Sequence, residues 1–359
     1  CGLLQMAYSV PADFLYSAYW YRSGTNQTMR DHLKGIAGEA ADIVDKKNAR
    51  VLDIGCNDGT LLNYYSDEFV KFGVDPSDVA KEVKGNIKVI QDIFPSEELA
   101  NECKGAKFDI ITSIAMFYDL EDPVAFVKNV KNALSADGLW IFEMSYMPSM
   151  LKLNSYDTIC HEHLEYYSLA VLENILRRAD MKMIKVSLND SNGGSIRCYA
   201  THTLNFKFKK YEFLQTLENL RQKEFDLELD TDKPYRNFQE RINVHRDELS
   251  SLLKKLKKEG KRIHIYGAST KGNTILQWCG LDSSIIDYAA DRNPDKHGAH
   301  TLGTNIPIIS ETESRAMNPD YYLVLPWHFK NEFLEREKEV LERGVGMIFP
   351  LPTIEIVKR

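Results

Sequence analysis

The sequence predicts an α/β protein with two doubly wound units, and three observations predict it. First, the apolar run Val51–Ile54 stops at Gly55, passes through small polar residues to Gly59 and continues as a helical pattern from Thr60. Second, such runs alternate with helical stretches from 50 to 145, the pattern of a mostly parallel sheet covered on both faces. Third, another strand, turn and helix begin at Lys261: Arg262–Tyr266, Gly267–Gly272 and Asn273–Cys279. A chain of 359 residues exceeds one typical core, so two or three domains are expected.

The elements follow in order. Met29, Leu33, Ile36, Ala37, Ala40, Ile43 and Val44 recur at helical spacing over 26–44, with Thr25 as the expected N-cap. Phe72–Val74, Ile87–Ile90 and Phe108–Ser113 are the strands that follow Val51–Ile54. Asp122-Pro123 opens a helix running to Leu134, since proline suits the first helical turn, and Gly138–Met144 is another strand. Residues 160–205 read as an insertion of a helix and strands, including Met183–Leu188 and Ser195–Thr203. A helical connector over 206–258 ends in the solvated face Lys254–Lys258. Strands at Ile285–Ala289, Tyr321–Leu325 and Gly346–Phe349 complete a smaller α/β domain over 259–359.

Composition narrows the class. A net charge of -7 argues against a nucleic-acid partner. No apolar stretch approaches the roughly 18 residues that span a bilayer. The six cysteines are scattered without a C-x-x-C pair, which reads as reduced thiols in a cytoplasmic protein.

The first turn carries the cofactor reading. Asp75 ends the run Phe72–Val74, twenty residues past Gly55, where a nucleotide ribose finds its hydroxyl acceptor. A dinucleotide site wants G-x-G-x-x-G, so that a pyrophosphate can sit against the helix start. Here Asn57 replaces the second glycine, and Asp58 beside it repels phosphate. That turn suits S-adenosylmethionine (SAM), whose sulfonium and ammonium are cationic. In Gln91-Asp92-Ile93, the acid accepts from the adenine amine and Ile93 covers the ring. The expected cofactor residues are Asp53, Gly55, Asn57, Gly59, Asp75, Asp92 and Ile93. The alternative is an unrelated βαβ turn with a solvated Asp75. The second turn, Gly267–Gly272, is open to phosphate through its amides and Lys271, but it lacks the P-loop order, and a structural Rossmann-like turn accounts for it equally.

The segment Tyr156–Ser168 follows the strand at 139–144 and contains Cys160-His161-Glu162-His163. A histidine beside a carboxylate is a base with a controlled tautomer, and nearby tyrosines donate to a developing oxyanion. Structural histidines are the second reading. A metal pair is the third, because His161 and His163 share a face if extended, but a third ligand is not obvious and no metal is expected. The leader 1–25 carries Tyr8, Phe14, Tyr16, Tyr19, Trp20 and Tyr21, either a lid or the cover of a sheet edge.

With these residues in view, the chain resembles the sugar-nucleotide C-methyltransferase family, SAM-dependent enzymes that methylate C-3 of dTDP-4-keto-deoxysugars. The resemblance spans the chain: Tyr21–Thr25 with Thr28-Met29-Arg30, Asp53–Leu62, Glu162-His163, Gly193–Arg197, Tyr266–Gly272, Asp291–Lys296 and Leu325–His328. It implies a class I SAM methyltransferase Rossmann-like domain over 26–205 and a second, C-terminal Rossmann-like α/β domain, with the nucleotide sugar held between them. It also implies an N-terminal zinc domain, of which Cys1-Gly2 resembles the last ligand, so zinc is expected only with that module. In mechanism it implies His163, paired with Glu162, as the base that forms an enolate, and Tyr21 as its hydrogen-bond donor. Gly194, Arg197, Lys271 and His328 are the implied substrate contacts. Two positions depart from the family pattern: Cys160 replaces a tyrosine, and Asp119, beside Tyr118, replaces a histidine and joins the catalytic set. These departures open a shift from carbon to oxygen methylation. Other classes also remain: a nicotinamide-dependent sugar-nucleotide oxidoreductase or epimerase at Gly267–Gly272, and a silent binding module.

Overall fold

The computed structural model describes residues 2–8, 10, 21–208 and 210–359. Cys1 and the leader aromatics Phe14, Tyr16, Tyr19 and Trp20 lie outside the described residues. The chain divides into two compact units. One comprises Cys1–Tyr146, His161–Asn189 and Ser195–Leu227, the other Met147–Cys160, Asp190–Gly194 and Glu228–Arg359.

The first unit holds β1 (Leu4–Gln5), β2 (Arg50–Ile54), β3 (Val70–Val74), β4 (Ile87–Ile90), β5 (Phe108–Ile114), β6 (Leu134–Ser145), β7 (Glu165–Tyr166), β8 (Met181–Asn189) and β9 (Ser195–His202). Seven of these form one sheet in the order β4-β3-β2-β5-β6-β9-β8, while β1 and β7 pair separately. Strands β2 to β6 run parallel, and β9 is antiparallel to both β6 and β8. The central strands β2 and β5 are buried along almost their whole length, which is why they read as continuous apolar runs. Trp140 and Phe142 on β6 stack with centroids 4.0 Å apart, and the Trp140 indole donates to Ser113 Oγ at 3.0 Å.

Local chemistry corrects two expectations. The first long helix is Gln27–Val44, and its cap is Asn26, whose Oδ1 accepts from Thr28 N at 2.8 Å; Thr25 belongs to the preceding turn Ser23–Thr25. The expected insertion over 160–205 is no appendage, because β8 and β9 are the closing edge of the main sheet. Helix Tyr211–Asp226 belongs to this unit as well. Its buried Glu224 accepts from Tyr146 OH at 2.6 Å and from the amides of Leu169 and Ala170 at 2.5 and 3.1 Å. The carboxylate thereby satisfies donors at the start of helix Leu169–Arg178.

The second unit holds β10 (Ile263–Tyr266), β11 (Tyr288–Asp291), β12 (Ile308–Ser310), β13 (Tyr321–Val324), β14 (Gly346–Phe349) and β15 (Glu355–Val357). Their order is β12-β11-β10-β13-β14-β15, parallel except for β15. The strand expected at Ile285–Ala289 starts three residues later, because the amides of Ile285 and Ile286 turn back onto Asp282 O. Helix Lys233–Lys258 is part of this unit, burying Phe238, Ile242, His245, Leu249, Leu253 and Leu256. In each sheet the strand order reverses beside its first strand, between β2 and β5 and between β10 and β13. Ligands of doubly wound sheets bind at the carboxyl edge of that switch point. Among the described residues, no helix is long and apolar enough to cross a membrane.

Candidate functional site

At the carboxyl edge of β2 the turn is built as the sequence anticipates. Gly55 (φ 75°) donates to Val74 O at 2.8 Å, and Asn57 N donates to Asp75 Oδ2 at 2.8 Å. Asp75 Oδ1 also accepts from Ser77 N at 2.9 Å. Gly59 has φ 73°, and a Cβ there would lie 2.6 Å from Val83, so both backbone and space demand glycine. Asp58 accepts from Thr60 Oγ1 at 2.6 Å and from Gly24 N at 2.8 Å. Asn57 Oδ1 accepts from Ser23 N at 2.9 Å, and its amide donates to Tyr21 O at 3.0 Å. Turn and leader are thus stitched together, which sets Tyr21, 48% exposed, beside the turn. Asp92 binds Ile93 N through Oδ1 at 2.8 Å, and Ile93 is 57% exposed, an open apolar face next to an acid. Asp58, Asp75 and Asp92, with Asp53 buried behind them, line this edge with acceptors, a set that fits a cationic adenosyl cofactor and opposes a pyrophosphate.

Asp53 is buried beneath the turn and accepts from Thr112 Oγ1 at 2.6 Å. Burial, reinforced by the charge of Asp75 and opposed by the Thr112 hydroxyl, pushes its carboxyl up to about 7. An unfolded aspartate titrates near about 3.9. The folded chain therefore holds this proton more tightly, and the group's contribution to stability falls as pH rises from about 4 to about 7. Asp53→Asn is expected to remove that part of the slope, so the variant gains on the parent between about pH 4 and about pH 7. Urea midpoints across that range read the difference; a constant offset would show that Asp53 does not titrate there.

The segment carrying His163 lies against the loop after β5. His163 is 6% exposed and packs on Tyr118 with ring centroids 4.2 Å apart. Leu164 N donates to Tyr118 O at 2.9 Å, and Tyr166 OH donates to His163 O at 3.1 Å. Asp119 sits in the same turn as Tyr118, Phe117–Asp119, and Glu162 precedes His163 at intermediate burial. Tyr167 donates to Glu165, whose carboxyl burial pushes up to about 7, against that hydrogen bond and with help from Asp122. Sequence reasoning passed over this pair. Among the described residues, no three His, Cys, Asp or Glu side chains gather to hold a metal.

The remaining predicted residues separate. Arg197 lies on β9 of the first unit, its Nε on Glu143 Oε2 at 2.8 Å and its other end on Glu39 at 3.2 Å. Glu143 is completed by His32 at 2.5 Å and Asn189 at 2.9 Å. Gly194 (φ 110°), Lys271 and His328 belong to the second unit. Lys271 follows β10 and His328 follows β13, the two sides of that sheet's switch point. Burial, with the Lys271 charge, pushes His328 down to about 3, so its imidazole is neutral. Asp157, which the sequence did not single out, accepts from Trp327 Nε1 at 2.9 Å. Its only sequence signal is a place in the segment Tyr156–Ser168. Asp291, at the tip of β11, repeats the pattern of Asp75 by accepting from Ala268 N at 2.9 Å and Asn293 N at 2.8 Å. Unlike Asp75, it is also ion-paired, with Lys296 at 3.3 Å.

Comparison with known proteins adds to this geometry. The profile of the C-methyltransferase C-terminal domain matches residues 190–352, and that of a methyltransferase domain matches 21–186. The C-methyltransferase NovU of Streptomyces niveus is 27% identical over 364 aligned positions, covering 99% of this chain and 85% of NovU. A ubiquinone biosynthesis O-methyltransferase of Neisseria meningitidis serogroup C is 30% identical over 138 residues, covering 34% of this chain and 56% of that enzyme. Among solved structures, a SAM-dependent methyltransferase from Clostridium acetobutylicum aligns with a TM-score of 0.39 and 14% identity, over 48% of this chain and 92% of that one.

Proposed function

We propose that this chain, a SAM-dependent methyltransferase with a class I Rossmann-like domain and similar to C-methyltransferases, methylates a carbon of a nucleotide-linked keto-sugar. The observation that carries the reading is the union, in one chain, of an acid-lined adenosyl turn with the C-terminal domain of C-methyltransferases. SAM, when bound, supplies an electrophilic methyl on a sulfonium cation. Asp75 accepts from its ribose and Asp92 from its adenine, which Ile93 covers; Asp53, Gly55, Asn57 and Gly59 shape the turn. A substrate ketone acidifies the adjacent C–H, and His163, with Glu162 beside it, takes that proton. Tyr21 donates to the enolate oxygen, and Asp119 contacts the substrate. A bound SAM would supply its methyl to that carbon and be released as S-adenosylhomocysteine (SAH), while His163 would hold the abstracted proton. In the second unit, Gly194, Lys271 and His328 are the proposed substrate contacts. We place the reaction in deoxysugar biosynthesis in the cytoplasm, in keeping with Cys56, Cys103, Cys198 and Cys279, which are buried outside any disulfide among the described residues.

One observation weighs on the nicotinamide alternative. The acid that would receive a ribose in the second sheet, Asp291, already holds the Lys296 ammonium. Oxygen methylation stays as the second reading, favoured by Cys160 and Asp119 at the two departures from the family pattern. Labelled SAM incubated with a panel of nucleotide sugars and followed by mass spectrometry separates these readings. The expected product carries its new methyl on carbon, and without SAM the same sugar takes up solvent deuterium at that carbon. A methyl found on oxygen, or no deuterium uptake, overturns the enolate route.

A further inference from the structure

In the second unit three buried polar atoms have no hydrogen-bond partner among the described residues: Ser155 Oγ, Asp157 Oδ1 and His328 Nδ1. Ser155 and Asp157 are each 2% exposed. Buried polar groups are rarely left so, because each surrenders its hydration without recovering it. The three converge. Asp157 Oδ2 is fixed by the Trp327 indole at 2.9 Å, and Trp327 adjoins His328 with ring centroids 5.7 Å apart. A Cβ on Gly193 (φ 86°) would meet Trp327 at 3.1 Å and Ser155 Oγ at 3.7 Å, so glycine lets the chain come this close. The charge of Lys271 bears on both Asp157 and His328, and its Nζ lies 3.5 Å from Asn192 O.

The donor set selects a chemistry. Lys271 and Asp157 offset one another, so an anion gains little here and meets the carboxylate. A hydroxyl suits both, donating to the carboxylate or to the neutral imidazole and accepting from the ammonium or from Ser155. We propose that Ser155, Asp157 and His328, with Lys271, form a seat for a pair of adjacent sugar hydroxyls. The inference rests on the reading that Lys271 and His328 contact the substrate, and names the part of it they hold. The hydroxyls belong either to the ribose of the nucleotide or to the transferred hexose.

Calorimetry on the full chain with UDP, dTDP, UDP-glucose and dTDP-glucose tests this. The parent is expected to bind at least one probe, and Asp157→Asn and Ser155→Ala to weaken that probe about tenfold or more. SAH binding and the unfolding temperature of Asp157→Asn, which keeps an acceptor for Trp327, should stay at the parental values. A loss on UDP and UDP-glucose, with the deoxyribose probes already weak in the parent, assigns the seat to the ribose. A loss on both glucose-bearing probes alone assigns it to the hexose. Equal affinities in parent and variants overturn the seat, leave the nucleotide-sugar reading standing and mean that the three atoms enclose a structural water. A parent that binds none of the four overturns both.

Discussion

His163→Ala is expected to abolish methyl transfer while leaving SAH affinity within about twofold of the parent. A positioned general base contributes about 10²–10⁴ in rate, or roughly 3–5 kcal/mol of barrier. No other step in the scheme depends so fully on one side chain. The backbone around His163 has its own support, from Leu164 N on Tyr118 O and from the β1–β7 pairing that follows at Glu165–Tyr166. Truncation therefore removes the imidazole and its packing on Tyr118, while the turn at Gly55 keeps its separate hydrogen bonds to Val74 and Asp75. Single-turnover methylation and deuterium uptake from solvent should fall together, because both require the same proton to leave. If methylation and SAH binding instead fall by the same factor, the histidine is structural, and the enolate must be assigned to another base.

What sequence could reveal depended on how far apart in the chain the interacting groups lie. The central strands β2 and β5 and the turn Gly55–Gly59 were legible because burial on both faces and left-handed glycines leave local marks. Gly346–Phe349 was legible for the same reason: all four residues are buried. The short strands β12 and β15 were not, since three residues carry no resolvable period. Nor was the membership of β8 and β9 in the main sheet, which is fixed by β9 pairing with β6 across about fifty to sixty residues, β8 following through β9. Ser168 caps Leu169–Arg178 locally, but the acceptor for its first two amides is Glu224, 55 residues on from Leu169, and the partner of Asp157 is Trp327, 170 residues on. Arg197 shows the same limit within the site. The resemblance implied a substrate contact there, while Glu143 and Glu39, which engage it, belong to β6 and to the helix Gln27–Val44.

Asp75→Asn is expected to weaken SAH binding by about ten- to a hundredfold, roughly 1.4–2.8 kcal/mol. Asp75 is 7% exposed, and in the proposed scheme it serves both chain and cofactor. Its two oxygens offer about four acceptor positions. Three are taken by Asn57 N, Ser77 N and Ser77 Oγ, so the carboxylate is held rigidly with capacity left for a ribose hydroxyl. An asparagine puts an amide nitrogen against one of those donors, and the turn loses both its fixed acceptor and its charge. Leaving one such buried donor unpaired costs about 1–3 kcal/mol, so a lower unfolding temperature should accompany the affinity loss. Asp291→Asn is the matched control. It disturbs the same kind of turn in the second sheet, where Lys296 already occupies the acid, and it should leave SAH affinity unchanged. Calorimetry with SAH and with NAD(P) on both variants decides the matter. Tight NAD(P) uptake that Asp75→Asn destroys, beside indifference to SAH in the parent, would mean that the acid-lined crossover of the first sheet carries a phosphate-bearing coenzyme, and the methyl-transfer scheme would fall with it.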